Sequence, residues 1–399
     1  MTETRAQPSV MSTKAGDPGA FARFDLSRVP SPCFVVDAAA VERNLATIAD
    51  VRDRAGVKVL LALKAFSMWS LGDLVGRYLD GVATSGLWEA KLADDHYHGE
   101  IATYCSGYKT GDMAEICRIS DHVIFNTPSQ HDAMRGEIEA ARGRGDRFHV
   151  GLRLNPMHSE GEVQKYDPAQ PHSRLGFPAD QLLPEHLDGV DGLHVHSLCE
   201  QDFPPLRRTW EALRPRVAPY LGQLKWLNFG GGHHITRADY QRDDLVAFLK
   251  EVRAETGLEV YLEPGEAIAL DTGILVGEFV DLFDNGMAIG VVDISATCHM
   301  PDVIEAPYRP AMLGEAGDVP VRLGGPSCLA GDILGDYRFA RRPVPGQRFA
   351  FLDQAHYSMV KTTTFNGVPL PSIALWDSRS DELRIVKSFG YEDFAGRLS

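Results

Sequence analysis

The chain is poor in cysteine, in positive charge and in long apolar runs, and each shortage excludes a class of protein. Six cysteines are scattered through 399 residues: Cys33, Cys105, Cys117, Cys199, Cys298 and Cys328. None forms a C-x-x-C pair, so a disulfide scaffold is excluded and a reduced, cytoplasmic protein is expected. Lys and Arg number 40 against 55 Asp and Glu, a net charge of −15. Phosphate backbones need clustered cations, so no nucleic-acid partner is expected. No apolar run is long enough to span a bilayer, and the polar stretch Met1 to Ala22 holds no signal-peptide core. No membrane partner is expected, and residues 1–29 read as an N-terminal tail.

What is present is an ordinary globular composition, 44% apolar and 24% charged. A chain this long buries most of its apolar surface without metal or disulfide staples. From residue 57 onward, short aliphatic runs alternate with longer amphipathic stretches. The expected strands are Val57–Leu63, Gly81–Thr84, Ile101–Cys105, His122–Phe125, His149–Leu154, Gly192–His196, Lys225–Phe229 and Leu258–Leu262. Most lack polar alternation, as strands buried on both faces do. Helical patterns lie between them at Leu87–His98, Ser129–Arg142, Pro205–Leu221 and Arg237–Glu255. Eight such units predict an α/β fold with a (β/α)8 barrel over residues 30–273. An open doubly wound sheet is the rival. Beyond residue 273 the strand-like runs Gly286–Ile294, Val321–Leu323, Arg348–Leu352 and Leu383–Lys387 predict a second, mainly β domain over residues 274–399. Residues 30–38 are candidates to pair with that domain.

Several residue types capable of chemistry fall at strand ends. Lys64 follows the first strand, and a lysine in an apolar setting has a lowered pKa and can form a Schiff base. Taken alone it reads equally well as a lysine snorkelling out of a strand end. His194 and His196 end the sixth strand two residues apart, on one face. No zinc-binding spacing accompanies them, so no metal is expected, and a ring stacked on a flat ligand fits better. Gly230, Gly231 and Gly232 follow the seventh strand and precede a helix, a pattern that admits an anion or simply a flexible turn. Glu263 ends the eighth strand before the sharp Pro264-Gly265 exit, and by itself it reads as a solvated loop carboxylate.

In a closed barrel strand 8 pairs with strand 1, so these residues mark four consecutive neighbours. An amine, a stacking ring, a phosphate cradle and a carboxylate around one mouth are what pyridoxal 5′-phosphate requires. An open sheet need not bring strands 8 and 1 together. The coincidence therefore supports the barrel and the cofactor at once.

At the level of motifs, the chain from about Pro30 to Pro371 resembles the fold-type III pyridoxal-phosphate decarboxylases, the alanine racemase and ornithine decarboxylase group. Within it the chain is most similar to the decarboxylases of carboxylated triamines, carboxynorspermidine and carboxyspermidine. The resemblance is carried in the barrel by Leu63-Lys64-Ala65-Phe66-Ser67, by Ala83 to Glu89, by Asn155 to Glu160 and by Pro171 to Gly176. It continues through Leu193 to Gln201 and Asn228 to His234. In the second domain it rests on Ala296 to Asp302, Gly324 to Asp332 and His356 to Gly367.

The resemblance implies that Lys64 holds the cofactor and His196 stacks on its ring. It places the cofactor phosphate on Gly230, Gly231, Gly232 and Tyr357, its pyridine nitrogen on Glu263, and Arg153 nearby. It implies that Cys328 is the acid protonating the substrate carbon, supplied across a homodimer interface, although Cys328 also reads as a small hydrophobe. Ornithine decarboxylase-like enzymes carry an arginine where Glu266 stands here. An extra carboxylate cannot help bind phosphate, but it can hold a substrate ammonium. Glu266, Asp302, Glu305 and Asp332 are therefore the expected substrate anchors. Glu305 and Asp332 read equally well as ordinary charges. A racemase, a diaminopimelate or arginine decarboxylase, and an inactive cofactor-binding homologue remain open alternatives.

Overall fold

The computed structural model describes residues 13–14, 16–161 and 163–399. The first part of the expected tail, residues 1–12, lies outside the described residues. The chain divides into two compact units, Val41–Leu270 and Met1–Ala40 with Asp271–Ser399.

The first unit is a closed barrel of eight parallel strands. They are Lys58–Ala62, Gly81–Thr84, Glu100–Tyr104, His122–Phe125, His149–Asn155, Gly192–Val195, Trp226–Asn228 and Glu259–Leu262. Closure comes from pairing of the last strand with the first, Tyr261 opposite Lys58 and Leu262 opposite Val59. Aliphatic side chains on both strand faces explain why every strand interior is buried. Inside the barrel Trp226 packs with Leu60, Ala83, Ala102, Ile124 and Tyr261. Room for its indole comes from Gly192, where a Cβ would lie 2.0 Å from the ring. Alternate strands are pinned at their starts by one repeated device. Carboxylates of Asp80, Asp121 and Asp191 accept from the amides of Val59, Ile101 and Val150. The expected helix Ser129–Arg142 is two helices, Pro128–Ala133 and Arg135–Arg144, broken at Met134.

The second unit is a mainly antiparallel sheet. Its path runs through Ile333–Phe339, Val319–Gly324, Ala288–Val292, Gly273–Asp284, Cys33–Asp37, Ser372–Asp377 and Glu382–Lys387. Arg348–Leu352 pairs additionally with Gly273–Asp284. Two apolar clusters form its core, one around Phe279, Tyr337 and Phe351, the other around Val35, Ile274 and Trp376.

The expected boundaries at residues 30 and 273 move to Ala40/Val41 and Leu270/Asp271. The reason is that Cys33–Asp37 pairs antiparallel with Gly273–Asp284 and parallel with Ser372–Asp377, so all three strands belong to the β unit. The tail expectation is corrected for its second half. Residues Gly19–Arg23 and Leu26–Arg28 form short helices, and Phe21 and Phe24 are buried against Trp376. Two aromatic rings within reach of a buried indole gain more from burial than a free tail gains from disorder.

Candidate active site

The barrel mouth is built at the C-terminal ends of neighbouring strands. Lys64 lies in the turn after Lys58–Ala62, a turn held by amide hydrogen bonds from Ala62 to Pro264 and from Leu63 to Ala83. Its Nζ lies 3.3 Å from His196 Nε2. His196 Nδ1 accepts from the Gly231 amide at 2.7 Å, which places the ring proton on Nε2. That proton points at Lys64, and the contact is a hydrogen bond only if the amine offers a lone pair. Electrostatics agrees with this reading. Burial, then the Arg153 charge, lowers the Lys64 pKa, and burial, then Lys64, pushes His196 well down. Lys64 is open at the mouth and crowded by protein groups around its amine. The arrangement therefore favours the neutral, nucleophilic form of the lysine more than water does, beside an imidazole whose charged form is disfavoured.

Behind His196 the rings are layered. His194 is parallel to His196 at 6.4 Å and to Tyr104 at 5.7 Å. The Arg153 guanidinium sits 4.5 Å over the Tyr104 ring and donates to the His196 carbonyl at 3.0 Å. Its Nε is buried without a hydrogen-bond partner. Glu263 is buried, with one carboxylate oxygen 3.1 Å from His194 Nε2 and the other accepting from Asn228 Nδ2 at 2.7 Å. Burial opposes its charge, but His194 and Asn228 prevail and hold its pKa below the usual range. Glu263 is therefore a carboxylate, ready to stabilise a proton on a ring nitrogen.

The triple glycine is a closely packed turn with no room for a Cβ. A Cβ at Gly231 would lie 2.2 Å from the Glu263 carbonyl oxygen. The Gly230 amide donates to Asn228 Oδ1 and the Gly231 amide to His196. At these two positions the missing Cβ lets the backbone close against His196 and the Glu263 carbonyl, and the amides brace Asn228 and His196. Asn228 links the turn to Glu263. It lay inside a quoted motif without a role, because its function depends on two contacts made only in the fold.

In the β unit, Cys328 is exposed on the loop between Val319–Gly324 and Ile333–Phe339. Its amide donates to Asn366 Oδ1 at 2.9 Å. Asp332 braces this loop: its carboxylate accepts from Ser295 Oγ at 2.8 Å, Ser327 Oγ at 2.5 Å and the Thr297 amide at 3.2 Å. It is 3% exposed, which corrects its expected place among the substrate anchors. An anchor must reach the substrate, whereas this carboxylate is enclosed by the loop it organises. Asp302 and Glu305 do hold an ammonium, that of Lys361, at 2.5 and 3.3 Å. Sequence reasoning missed Lys361 because nothing local joins residue 361 to residues 302 and 305. Tyr357 lies in the turn after Arg348–Leu352, with its backbone in the left-handed region at φ 37°.

A closed barrel with this lysine, imidazole and carboxylate at its mouth, joined in sequence to a β unit, has the architecture of the fold-type III enzymes. The fold matches diaminopimelate decarboxylase from Helicobacter pylori complexed with L-lysine, with a TM-score of 0.79 at 15% identity over 92% of this chain and 96% of that one. Closer in sequence is the carboxynorspermidine/carboxyspermidine decarboxylase of Campylobacter jejuni, 36% identical over 93% of this chain and 99% of the relative. The Herminiimonas arsenicoxydans enzyme of the same description is 35% identical over 93% of this chain and 100% of its own. Carboxyaminopropylagmatine decarboxylase from Synechocystis is 38% identical over 94% and 96%. The crystal structure of the Campylobacter jejuni carboxynorspermidine decarboxylase complexed with norspermidine covers 92% of this chain and 100% of its own, with a TM-score of 0.84. No protein-family model matches the chain. The chain belongs to the carboxynorspermidine/carboxyspermidine decarboxylase family. Among the described residues no helix is long and apolar enough to cross a membrane.

Proposed function

We propose that this protein decarboxylates carboxynorspermidine, carboxyspermidine or both, releasing norspermidine or spermidine for polyamine biosynthesis, with pyridoxal 5′-phosphate held at the barrel mouth. The observation that carries this reading is the convergence of Lys64, the stacked His196, the Glu263 carboxylate and the triple-glycine turn on four adjacent strand ends. The residues fit the cofactor: the layered imidazoles match a flat ring, and Glu263 matches a pyridinium proton.

When bound, the cofactor supplies an electron sink for the bonding pair left by departing CO2. Lys64 would hold the cofactor through its amine. Glu263 keeps the proton on the ring nitrogen. His196 would stack on its ring, and Arg153 fixes the His196 backbone. The Cα–CO2 bond breaks, and the Cys328 thiol returns a proton to Cα, which completes the product. Cys328 acts from the second subunit of a cytoplasmic homodimer. Tyr357 would join the glycines at the phosphate, Glu266 would receive a substrate ammonium, and Asp302 and Glu305 would do so in place of the Lys361 ammonium they hold here. Nucleic acid and membrane have no part in this reading.

The Synechocystis relative makes carboxyaminopropylagmatine the substrate to run beside the triamines. Purified protein with pyridoxal phosphate is given carboxynorspermidine, carboxyspermidine, carboxyaminopropylagmatine, meso-diaminopimelate, ornithine and arginine, with products read by mass spectrometry. Turnover of the two triamines alone supports the reading. Preference for carboxyaminopropylagmatine or for an amino acid overturns the substrate and leaves the decarboxylase.

A further inference from the structure

Three loops that leave neighbouring barrel strands bring together an imidazole and two carboxylates. Glu200 follows the strand Gly192–Val195, His234 follows Trp226–Asn228, and Glu266 follows Glu259–Leu262. One ligand atom from each lies within 4.8 Å of the other two. His234 makes the group more than a pair of acids. It is 5% exposed, and its Nε2 is buried without a hydrogen-bond partner. A buried imidazole nitrogen left unbonded costs free energy that a ligand recovers. That nitrogen lies 3.4 Å from an oxygen of Glu266, which is buried as well.

We infer that Glu200, His234 and Glu266 bind a divalent transition ion of the zinc type. Zinc takes imidazole nitrogen and carboxylate oxygen at about 2.0–2.2 Å, in a tetrahedron, so two such ligands stand about 3.4 Å apart. His234 Nε2 and the Glu266 oxygen are already at that separation. Glu200 is exposed and closes on the ion by turning its side chain, and water takes the fourth corner. The imidazole selects against magnesium and calcium, which prefer oxygen ligands. The two carboxylates offset the ion's charge. Local spacing in the sequence predicts no metal, because these ligands lie far apart along the chain on three separate loops. The triamine reading gives the Glu266 carboxylate to a substrate ammonium. Ion and substrate therefore compete, and zinc is an inhibitor of this reaction rather than its cofactor. The competition rests on that reading, and the binding does not.

The test uses holoenzyme treated with chelator and then freed of chelator and of excess pyridoxal phosphate, which itself binds metals. Zn²⁺ is titrated by calorimetry. Co²⁺ is titrated by absorbance, because tetrahedral ligation gives it a visible ligand-field band. One ion per chain is expected. Glu200→Gln, at an exposed position, and His234→Gln should each weaken binding by at least about tenfold, since even groups that only orient a metal ligand are worth that much. Where His234→Gln lowers the thermal midpoint, Glu200→Gln decides. In the wild type Zn²⁺ should raise the KM for carboxynorspermidine and leave kcat unchanged. No stoichiometric ion, or an affinity that neither variant changes, overturns the site. Binding that the variants weaken, with no rise in KM, upholds the site and overturns the competition. Wild-type protein that turns over no triamine fails the substrate reading, while the two titrations still decide the site.

Discussion

One barrel strand carries a lysine at each end, and their environments push them in opposite directions. Lys58 opens the strand at the barrel floor, and Lys64 lies in the turn beyond its other end. At the floor Lys58 pairs with Glu100, and with Glu259 at 3.3 Å. Glu100 also meets His122 at 3.3 Å and accepts from the Tyr261 hydroxyl at 3.0 Å. Burial works against the Lys58 charge, but the bond and charge of Glu100 outweigh it and raise the lysine pKa. Burial likewise opposes Glu100, yet the bonds from His122 and Lys58 hold its carboxyl at about 2. At the mouth Lys64 faces an imidazole and Arg153 and its pKa is lowered. The same residue type is therefore a structural cation at one end and a nucleophile at the other. The difference lies in whether a carboxylate is in hydrogen-bonding contact. It also follows the division of labour of such barrels, in which the N-terminal face stabilises and the C-terminal face reacts.

The largest expected effect comes from breaking the mouth. Lys64→Ala should abolish turnover of the preferred substrate in the mass-spectrometric assay while leaving the thermal midpoint close to wild type. Near-wild-type activity in this variant would remove Lys64 from the chemistry. Next comes the carboxylate. Glu263→Gln keeps the shape and the Asn228 neighbour but removes the charge that holds a ring proton. Its kcat should drop by roughly 10²-fold, the scale for losing one preorganised electrostatic partner. A change confined to KM would show that Glu263 only shapes the pocket.

The smallest effect is at the floor, and it concerns stability. Glu100→Gln should cost roughly 1–2 kcal/mol at neutral pH, discounted for partial exposure of the pair, with kcat/KM unchanged. The pH dependence has a definite sign. The folded carboxyl titrates at about 2 against an ordinary 4.5. Its stabilisation is therefore complete above about pH 4.5 and is lost as the pH falls toward 2. Denaturant titrations across that window should show a steeper fall in wild type than in Glu100→Gln. Parallel curves would mean that the floor network carries no net stability.

Much of the barrel was legible because its signal is local. Gly81–Thr84 and His122–Phe125 have the expected bounds, and the other strands shift by a residue or two, since aliphatic runs mark a strand but not its last hydrogen bond. The β unit was harder to read. Gly273–Asp284, its longest strand, went unrecognised, and it is paired with Cys33–Asp37, far away in sequence. At the mouth, Lys64, His196 and Glu263 were visible as unusual residues at strand ends. Asn228 and Tyr104 were not singled out, because an asparagine and a tyrosine at strand ends become informative only through the groups they touch. Asp332 and Lys361 teach the same lesson in reverse. An acidic residue after a cysteine looked like an anchor until Ser295 and Ser327 closed around it, and an unremarked lysine occupies the Asp302 and Glu305 carboxylates.

The sequence by itself determined the alternating architecture and the chemical kinds of groups at the barrel mouth, because strand periodicity and residue type are local properties. Tertiary structure alone decided their states: Lys64 with its lowered pKa and Lys58 with its raised one, Glu263 held charged, Asp332 enclosed, and Glu200 brought to His234 and Glu266. Protonation and hydrogen bonding depend on burial and on partners distant in sequence, and those exist only once the strands have closed.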